Sequence, residues 1–489
     1  MKINLKEKNK SVEWNFVFYM LRTLMSLLYP LVTFSYTSRI LGVEAIGNFN
    51  FVRSFSHFFV LIALLGVGRY GSREGAKIRE NEIEFSRLAH ELFFISFIAT
   101  FIVVIIYDVC IFSLPNLQDY RQLLLIFTLT ILLNEQLGLE WVYTANENFT
   151  YIAIRAVLFQ IFGIAALFLF VKTPDDLWKY ALIYIFATYG SVLLNYVNVR
   201  RYIYIRWLGN YHIVCHLKSL MYLMAVNIST SVYSDLDSVM LGLLSNDFAV
   251  GIYTAAVKLN RIVNSLISCF GTVAMPKLSY YYGNGRIREF NSLVKKGYSI
   301  VFMLSVPICV GMFMLSGEFI QLLSGNEFSA AGITAKILSP IILFIPFSSL
   351  TKEEVFIPMK KENFVLVVSF LGAGVNVITN SLLIPHFAEN GAAVATVFAE
   401  GTVAVVSIVC ARKVLHVSEI FAGYWRYWFA AVPIILIRYV GTWFTHSTIG
   451  VILFTVLFSA ISYFIILWLL GDQLVRSTWS GITKLIKER

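Results

Sequence analysis

The sequence predicts an all-α polytopic membrane protein with 14 transmembrane helices. Three observations point there: the composition, a series of apolar runs, and the one-sided placement of the basic residues. Of 489 residues, 58% are hydrophobic, 16% aromatic and only 14% charged, and mean hydropathy is +0.73. Ordinary globular chains carry about 45–50% apolar and about 25% charged residues. A water-soluble fold could not hide so much apolar surface, because it still needs a polar exterior. Long continuous runs, in place of short alternating ones, exclude a porin-like barrel. The five cysteines (Cys110, Cys215, Cys269, Cys309, Cys410) are scattered, so neither a disulfide framework nor a metal cluster is expected.

A bilayer core about 30 Å thick takes about 20 residues of helix. Runs of that kind fall at 14–36, 46–68, 90–110, 122–143, 151–171, 180–199, 219–243, 250–272, 297–317, 333–351, 364–384, 391–411, 427–441 and 449–470. With a cytoplasmic N-terminus, the segments 1–13, 69–89, 200–218, 276–296, 352–363, 412–426 and 471–489 hold 28 of the 39 Lys and Arg. The opposite-side loops hold four: Arg39, Arg121, Lys172 and Lys179. This is the positive-inside pattern. It predicts both termini in the cytoplasm and explains a net charge of +10 without nucleic acid. The first run is long for a signal peptide, carries Arg22 and lacks an Ala-x-Ala site, so it is expected to be retained.

Two stretches resemble each other. Ile40 to Phe49, with Gly42 and Gly47, leads to Arg53 and His57; Leu243 to Tyr253, with Gly251, leads to Lys258 and Arg261. Glu147-Asn148-Phe149 likewise recurs as Glu362-Asn363-Phe364. An internal repeat of six helices follows. Six crossings return the chain to the same side, so the two lobes are expected to be related by a pseudo-twofold axis along the membrane normal, with a cavity between them. The expected organisation is an N-terminal six-helix lobe (1–205), a cytoplasmic linker (206–218), a C-terminal six-helix lobe (219–413), two extra helices (427–470) and a cytoplasmic tail (471–489).

Seven basic residues fall inside spans: Arg22, Arg53, Arg155, Lys258, Arg261, Lys336 and Arg438. Each would cost about 2.5–3.5 kcal/mol facing lipid at mid-bilayer, so they must face water, pair with acids or snorkel. Helical spacing sets several in polar stripes. These are Arg22, Ser26, Tyr29 and Thr33; Asn50, Arg53, Ser54 and His57; and Lys258, Arg261, Asn264, Ser265, Ser268 and Thr272. Asn227, Ser231, Ser234, Asp235, Asp237 and Ser238 form another, and Ser369, Gly372, Asn376, Thr379 and Asn380 the last. A basic cavity of this kind suits a phosphate-bearing anion, since Arg offers a planar fork of donors. Arg155, Lys336 and Arg438 suit snorkelling equally well. Asp235 and Asp237 read either as ion-coupling carboxylates or as structural partners of Lys258 or Arg261; Glu400, Glu135 and Glu140 are further acids within spans. His212, Cys215 and His216 have ligand-like spacing but lack a fourth donor, so no metal is expected. No Gly-Lys dipeptide occurs, which excludes a Walker A loop. The outer loops are too short for a catalytic domain, and no cofactor or catalytic residue is indicated.

The chain resembles the Wzx-type polysaccharide flippases of the multidrug/oligosaccharidyl-lipid/polysaccharide exporter superfamily. The resemblance is carried by Ser38-Arg39-Ile40-Leu41-Gly42 with Gly47, and by Leu139-Glu140-Trp141-Val142-Tyr143 with Arg155. Asp237 before Met240-Leu241-Gly242, Gly251 to Ala256, Met275-Pro276-Lys277-Leu278, and Asn376 and Asn380 before Gly391 to Thr396 and Glu400 complete it. It implies an inner-membrane protein, not an enzyme, that moves an undecaprenyl-diphosphate-linked oligosaccharide by alternating access, driven by H+ or Na+ or by membrane potential. It further implies diphosphate contacts from Arg22, Arg53 and Lys258 or Arg261, and a lipid-tail groove at 427–441 and 449–470. A polysaccharide polymerase and a chain-length regulator are the implied protein partners, in O-antigen or capsule assembly. Two other classes fit the sequence: an ion-coupled drug antiporter of the same superfamily, and a membrane polymerase acting on lipid-linked glycans.

Overall fold

A computed structural model describes residues 12–135, 137–412 and 423–476. The basic ends 1–11 and 477–489, the stretch 413–422, and the side chains of Ser231, Ser234 and Thr272 lie outside the described residues. Within them the chain is helical, with no strand. It divides into two compact units, Met1–Gly251 and Ile252–Arg489.

The first unit opens with α1 (Val12–Leu64), which contains the first two expected crossings and breaks between them at Gly42, with φ 79°. A glycine takes that left-handed conformation without a Cβ clash, which explains its place in the Ile-Leu-Gly run. Next come α2 (Val67–Ile78), α3 (Glu82–Ser113) and α4 (Arg121–Leu132), then α5 (Glu140–Ala145), α6 (Phe149–Phe170), α7 (Leu177–Tyr189), α8 (Leu193–Asn198) and α9 (Val214–Leu244). Local chemistry starts these helices where the sequence changes from polar to apolar. Asn81 caps α3 by accepting from the Glu84 N–H at 3.3 Å, and Asn148 caps α6 through the Tyr151 N–H at 3.3 Å. Before α7 the Asp176 carboxylate accepts from the backbone of Lys172 and Thr173 at 2.8 and 2.9 Å. Each satisfies donors that a helix start leaves unpaired.

The expected fourth span is not one continuous helix. It stops at Leu132 and resumes at Glu140. Asn134 causes the break: its amide donates to Thr100 Oγ1 (3.0 Å) and to the Ile131 carbonyl (2.8 Å), and its Oδ1 accepts from the Leu137 N–H (3.0 Å). A side chain that takes over backbone partners competes with the helix ladder. Leu139 then turns back at φ 53°.

The second unit follows α10 (Asp247–Gly283), whose first turn belongs to the first unit, with α11 (Ile287–Ser324), α12 (Ala331–Leu338) and α13 (Ile341–Ser349). It ends with α14 (Glu362–Ala411), α15 (Trp425–Phe444) and α16 (Thr448–Leu469). α14 contains the eleventh and twelfth expected crossings and bends at Ala388. α15 and α16 pack on each other and on α11. The short thirteenth run thus becomes a helix of 20 residues.

Among the described residues, eight helical segments are long and apolar enough to cross a membrane, or nine if the bent α12–α13 pair is one span. Two of these, Arg22–Ile78 (57 residues) and Asn363–Ala411 (49 residues), far exceed the ~20 residues that one crossing needs. The outer faces carry large apolar side chains in the open, such as Phe101, Phe162, Leu169, Leu453 and Trp443. A surface of this kind is stable against acyl chains and not against water. The protein is a multi-pass membrane protein.

The repeat glycines meet in the first unit. A Cβ on Gly47 would lie 1.8 Å from the Asp247 carbonyl oxygen, and a Cβ on Gly251 would lie 2.2 Å from that of Val43. Each glycine therefore packs on the residue four before the other. The two corresponding helix starts touch reciprocally, and only an absent side chain permits the approach.

Candidate functional site

The first unit forms two clusters of charge among its helices, and in each one carboxylate meets two basic groups. In the first, Asp235 of α9 accepts from Arg53 Nη2 of α1 at 3.1 Å and meets His57 Nδ1 at 2.8 Å. Ser54 Oγ approaches the same carboxylate at 3.4 Å. Arg53, Ser54 and His57 reach one point because they lie on one face of α1. Asp235 is only 6% exposed, while the Arg53 and His57 side chains keep 27% and 33% of their surface open.

In the second cluster Glu140, at the start of α5, pairs with Arg155 of α6 and with Arg22 of α1, the latter at 3.5 Å. Arg155 is 3% exposed and also donates to Ser191 Oγ at 2.9 Å. The spacing left snorkelling open for Arg155; its buried ion pair shows the alternative. Glu140, set aside in the sequence as one of several acids, is the partner of two of the seven intramembrane cations. Asp235, read as an ion-coupling carboxylate or a partner of α10, is joined to Arg53 and His57 of α1.

The break between α4 and α5 opens a cleft of about 380 Å³. Its lining includes Arg69 and Ser72 of α2, Glu135 in the break, and Glu140, Trp141 and Thr144 of α5. Irregular backbone at membrane depth is tolerated where it borders a polar cavity, and this break does so. Sequence reasoning missed Arg69 and the cleft. Asn134 beside Glu135, and Gly138 between Glu135 and Glu140, inside an otherwise apolar run, were the available signal.

The other expected residues lie as follows. Asp237 is 5% exposed on α9. In the second unit Lys258 is half-buried and Arg261 exposed, one turn apart on α10. Asn376 and Asn380 of α14 are buried and joined to each other at 3.1 Å, and Glu400 is buried near the end of the same helix. Arg438 of α15 is ion-paired with Glu318 of α11, and Lys336 of α12 lies over the Phe313 ring at 4.8 Å. His216, one of the ligand-like triplet, is engaged elsewhere. Its Nε2 meets Glu91 Oε2 and its Nδ1 meets the Tyr70 hydroxyl, both at 2.8 Å.

Apolar helices that carry paired charge and border an open polar cleft define a polytopic membrane protein with a polar interior. Residues 13–281 match the family described as polysaccharide biosynthesis protein, and residues 223–382 match the MatE family. The chain belongs to the polysaccharide biosynthesis protein family, within the multidrug/oligosaccharidyl-lipid/polysaccharide exporter superfamily, whose members are transporters and not enzymes. A protein of Shigella dysenteriae named "Putative O-antigen transporter" is 22% identical over 76% of this chain and 93% of its own length. One of the same name from Escherichia coli is 20% identical over 66% of this chain and 78% of its own. In fold, the chain is similar to the lipid II flippase MurJ in an inward closed conformation, with a TM-score of 0.76 over 94% of this chain and 100% of that one at 15% identity.

Proposed function

We propose that the protein flips an undecaprenyl-diphosphate-linked oligosaccharide across the bacterial inner membrane by alternating access. Its termini would be cytoplasmic, as the bias of Lys and Arg favours. The observation that carries this reading is the ratio of charge in the first unit: Arg53 and His57 share Asp235, and Arg22 and Arg155 share Glu140. At Asp235 one acid faces two basic groups, which leaves donors for an anion to take; at Glu140 a second acid, Glu135, lines the same cleft, and Arg22 and Arg155 offset the pair. A diphosphate can displace a carboxylate from Arg because both match the same planar donors.

In this mechanism Arg53 and Arg22 engage the diphosphate, and Arg155, bonded to Ser191, holds Glu140 in place. Protonation or cation binding at Asp235 would release Arg53 to the substrate, which couples transport to H+ or Na+. Asp237 and Glu400 are the other candidates for coupling. Lys258 and Arg261 are the second unit's candidates for phosphate, and Asn376 and Asn380 for the sugars. The prenyl chain stays in lipid beside α15 and α16, and the product passes to a polymerase and chain-length regulator.

Reconstitution with a fluorescent undecaprenyl-diphosphate saccharide tests this directly. Arg53→Glu is expected to reduce the flipping rate at least about 100-fold, with Arg53→Lys intermediate, because a charge-assisted contact of roughly 1.5–3 kcal/mol is replaced by repulsion. Unchanged flipping by correctly inserted Arg53→Glu protein would reject the phosphate role. The MatE match over 223–382 favours a second reading, an ion-coupled drug antiporter. Export of a lipophilic cation without flipping of the lipid-linked sugar would select it.

A further inference from the structure

We propose that the cleft between α2 and the broken α4–α5 segment is a saccharide subsite, which takes a neutral, hydroxyl-rich pyranoside of the lipid-linked substrate. This rests on the flippase reading above and names the part of the substrate that the charge clusters do not explain. At about 380 Å³ the cleft lies within the range of small-molecule sites, roughly 300–1,000 Å³.

Its chemistry differs from that of the Arg53 cluster. The polar lining combines carboxylates (Glu135, Glu140), hydroxyls (Ser72, Thr144), the Asn227 amide and one guanidinium, Arg69. A sugar hydroxyl both donates and accepts, and a carboxylate accepts from two neighbouring hydroxyls at once. Two members are short of partners. The Glu135 side chain is exposed to the cleft and has no hydrogen bond or ion pair among the described residues. Trp141 lines the cleft and is 2% exposed, yet its indole N–H has no acceptor among the described residues. An orphaned buried donor is unfavourable unless a ligand or water completes it. The indole is also locked in place, since the α2 backbone approaches it so closely that a Cβ on Gly71 would lie 2.5 Å from the ring. Hydroxyls and carboxylates beside a fixed indole, whose buried N–H still lacks an acceptor among the described residues, make a polar wall that suits the hydroxyls of a pyranose ring.

The test uses the full-length purified protein and two probes, undecaprenyl diphosphate and undecaprenyl-diphosphate N-acetylglucosamine. The wild-type protein should bind the sugar-bearing lipid about tenfold more tightly than the bare one, an increment of about one charge-assisted hydrogen bond. Glu135→Ala removes the open acceptor, and Ser72→Phe fills the cleft from α2. Each should bring the preference, the ratio of the two affinities, to within about twofold; Ser72→Phe, which leaves every charge in place, should also leave affinity for the bare lipid unchanged, and a monodisperse profile in detergent certifies the fold of both; if one variant fails to fold, the other decides. Retention of the full preference by a folded variant overturns the subsite. So does a wild-type protein that binds both lipids equally. Binding of neither lipid would instead reject the flippase reading, and the subsite with it.

Discussion

The clusters of the first unit and the ion pair of the second solve the same problem in different ways. In α11 and α15, Glu318 and Arg438 pair one to one, with 20% and 16% of their side chains exposed. A neutral pair of this sort stabilises helix packing and leaves nothing over for a ligand. In α1, α5, α6 and α9 one acid meets two bases, so each site is held together by a shared carboxylate, and on the proposed flippase function the donors in excess are the ones an anion takes. Removing one partner of a buried pair costs about 3–5 kcal/mol in either case. The difference appears only when both partners change.

Charge reversal therefore separates the two most sharply. Arg438→Glu with Glu318→Arg should restore the level of folded protein that either single change lowers, and flipping should return to near the wild-type rate. Arg53→Asp with Asp235→Arg should restore folding, read as monodisperse protein in detergent, and leave flipping at least about 100-fold down. Recovery of transport by the second swap would make the two regions equivalent and the Asp235 cluster merely structural. The next effect is in the packing of the first unit. Gly47→Ala places a methyl 1.8 Å from a carbonyl oxygen, an overlap of backbone that cannot rotate away, and should lower thermal stability by about 1–3 kcal/mol or more. The smallest is expected at Lys336, which is exposed and lies on an aromatic face; Lys336→Gln should change stability by less than about 0.5 kcal/mol and leave flipping intact.

Much of the helical architecture was legible because a bilayer enforces a length and a polarity on each crossing. The apolar runs led to α6, α15 and α16 within a few residues and to the apolar part of α3, which begins eight residues earlier at Glu82, and the repeated Gly47 and Gly251 marked two positions that the fold brings together. The sequence did not show that these glycines pack on each other's backbone, because the reason is a contact between residues 200 apart in the chain. The same limit hid the partners of the charges. Arg22 meets Glu140 across 118 positions and Arg53 meets Asp235 across 182. Periodicity locates a face on its own helix and says nothing of what stands opposite. The break at Asn134 was missed for a local reason: its flanks are apolar enough to pass as one helix, and one amide side chain decides the matter.

Glu91 of α3 is gripped at both oxygens, by the His212 N–H just ahead of α9 at 2.6 Å and by His216 in the first turn of α9 at 2.8 Å, and Tyr70 of α2 holds the far side of the same imidazole. Three helices are thereby coupled at one point through short, buried bonds, like members of a truss sharing a rivet. Any swing of α9 must carry α2 and α3 with it or shear that joint, so the three helices are expected to move as one body.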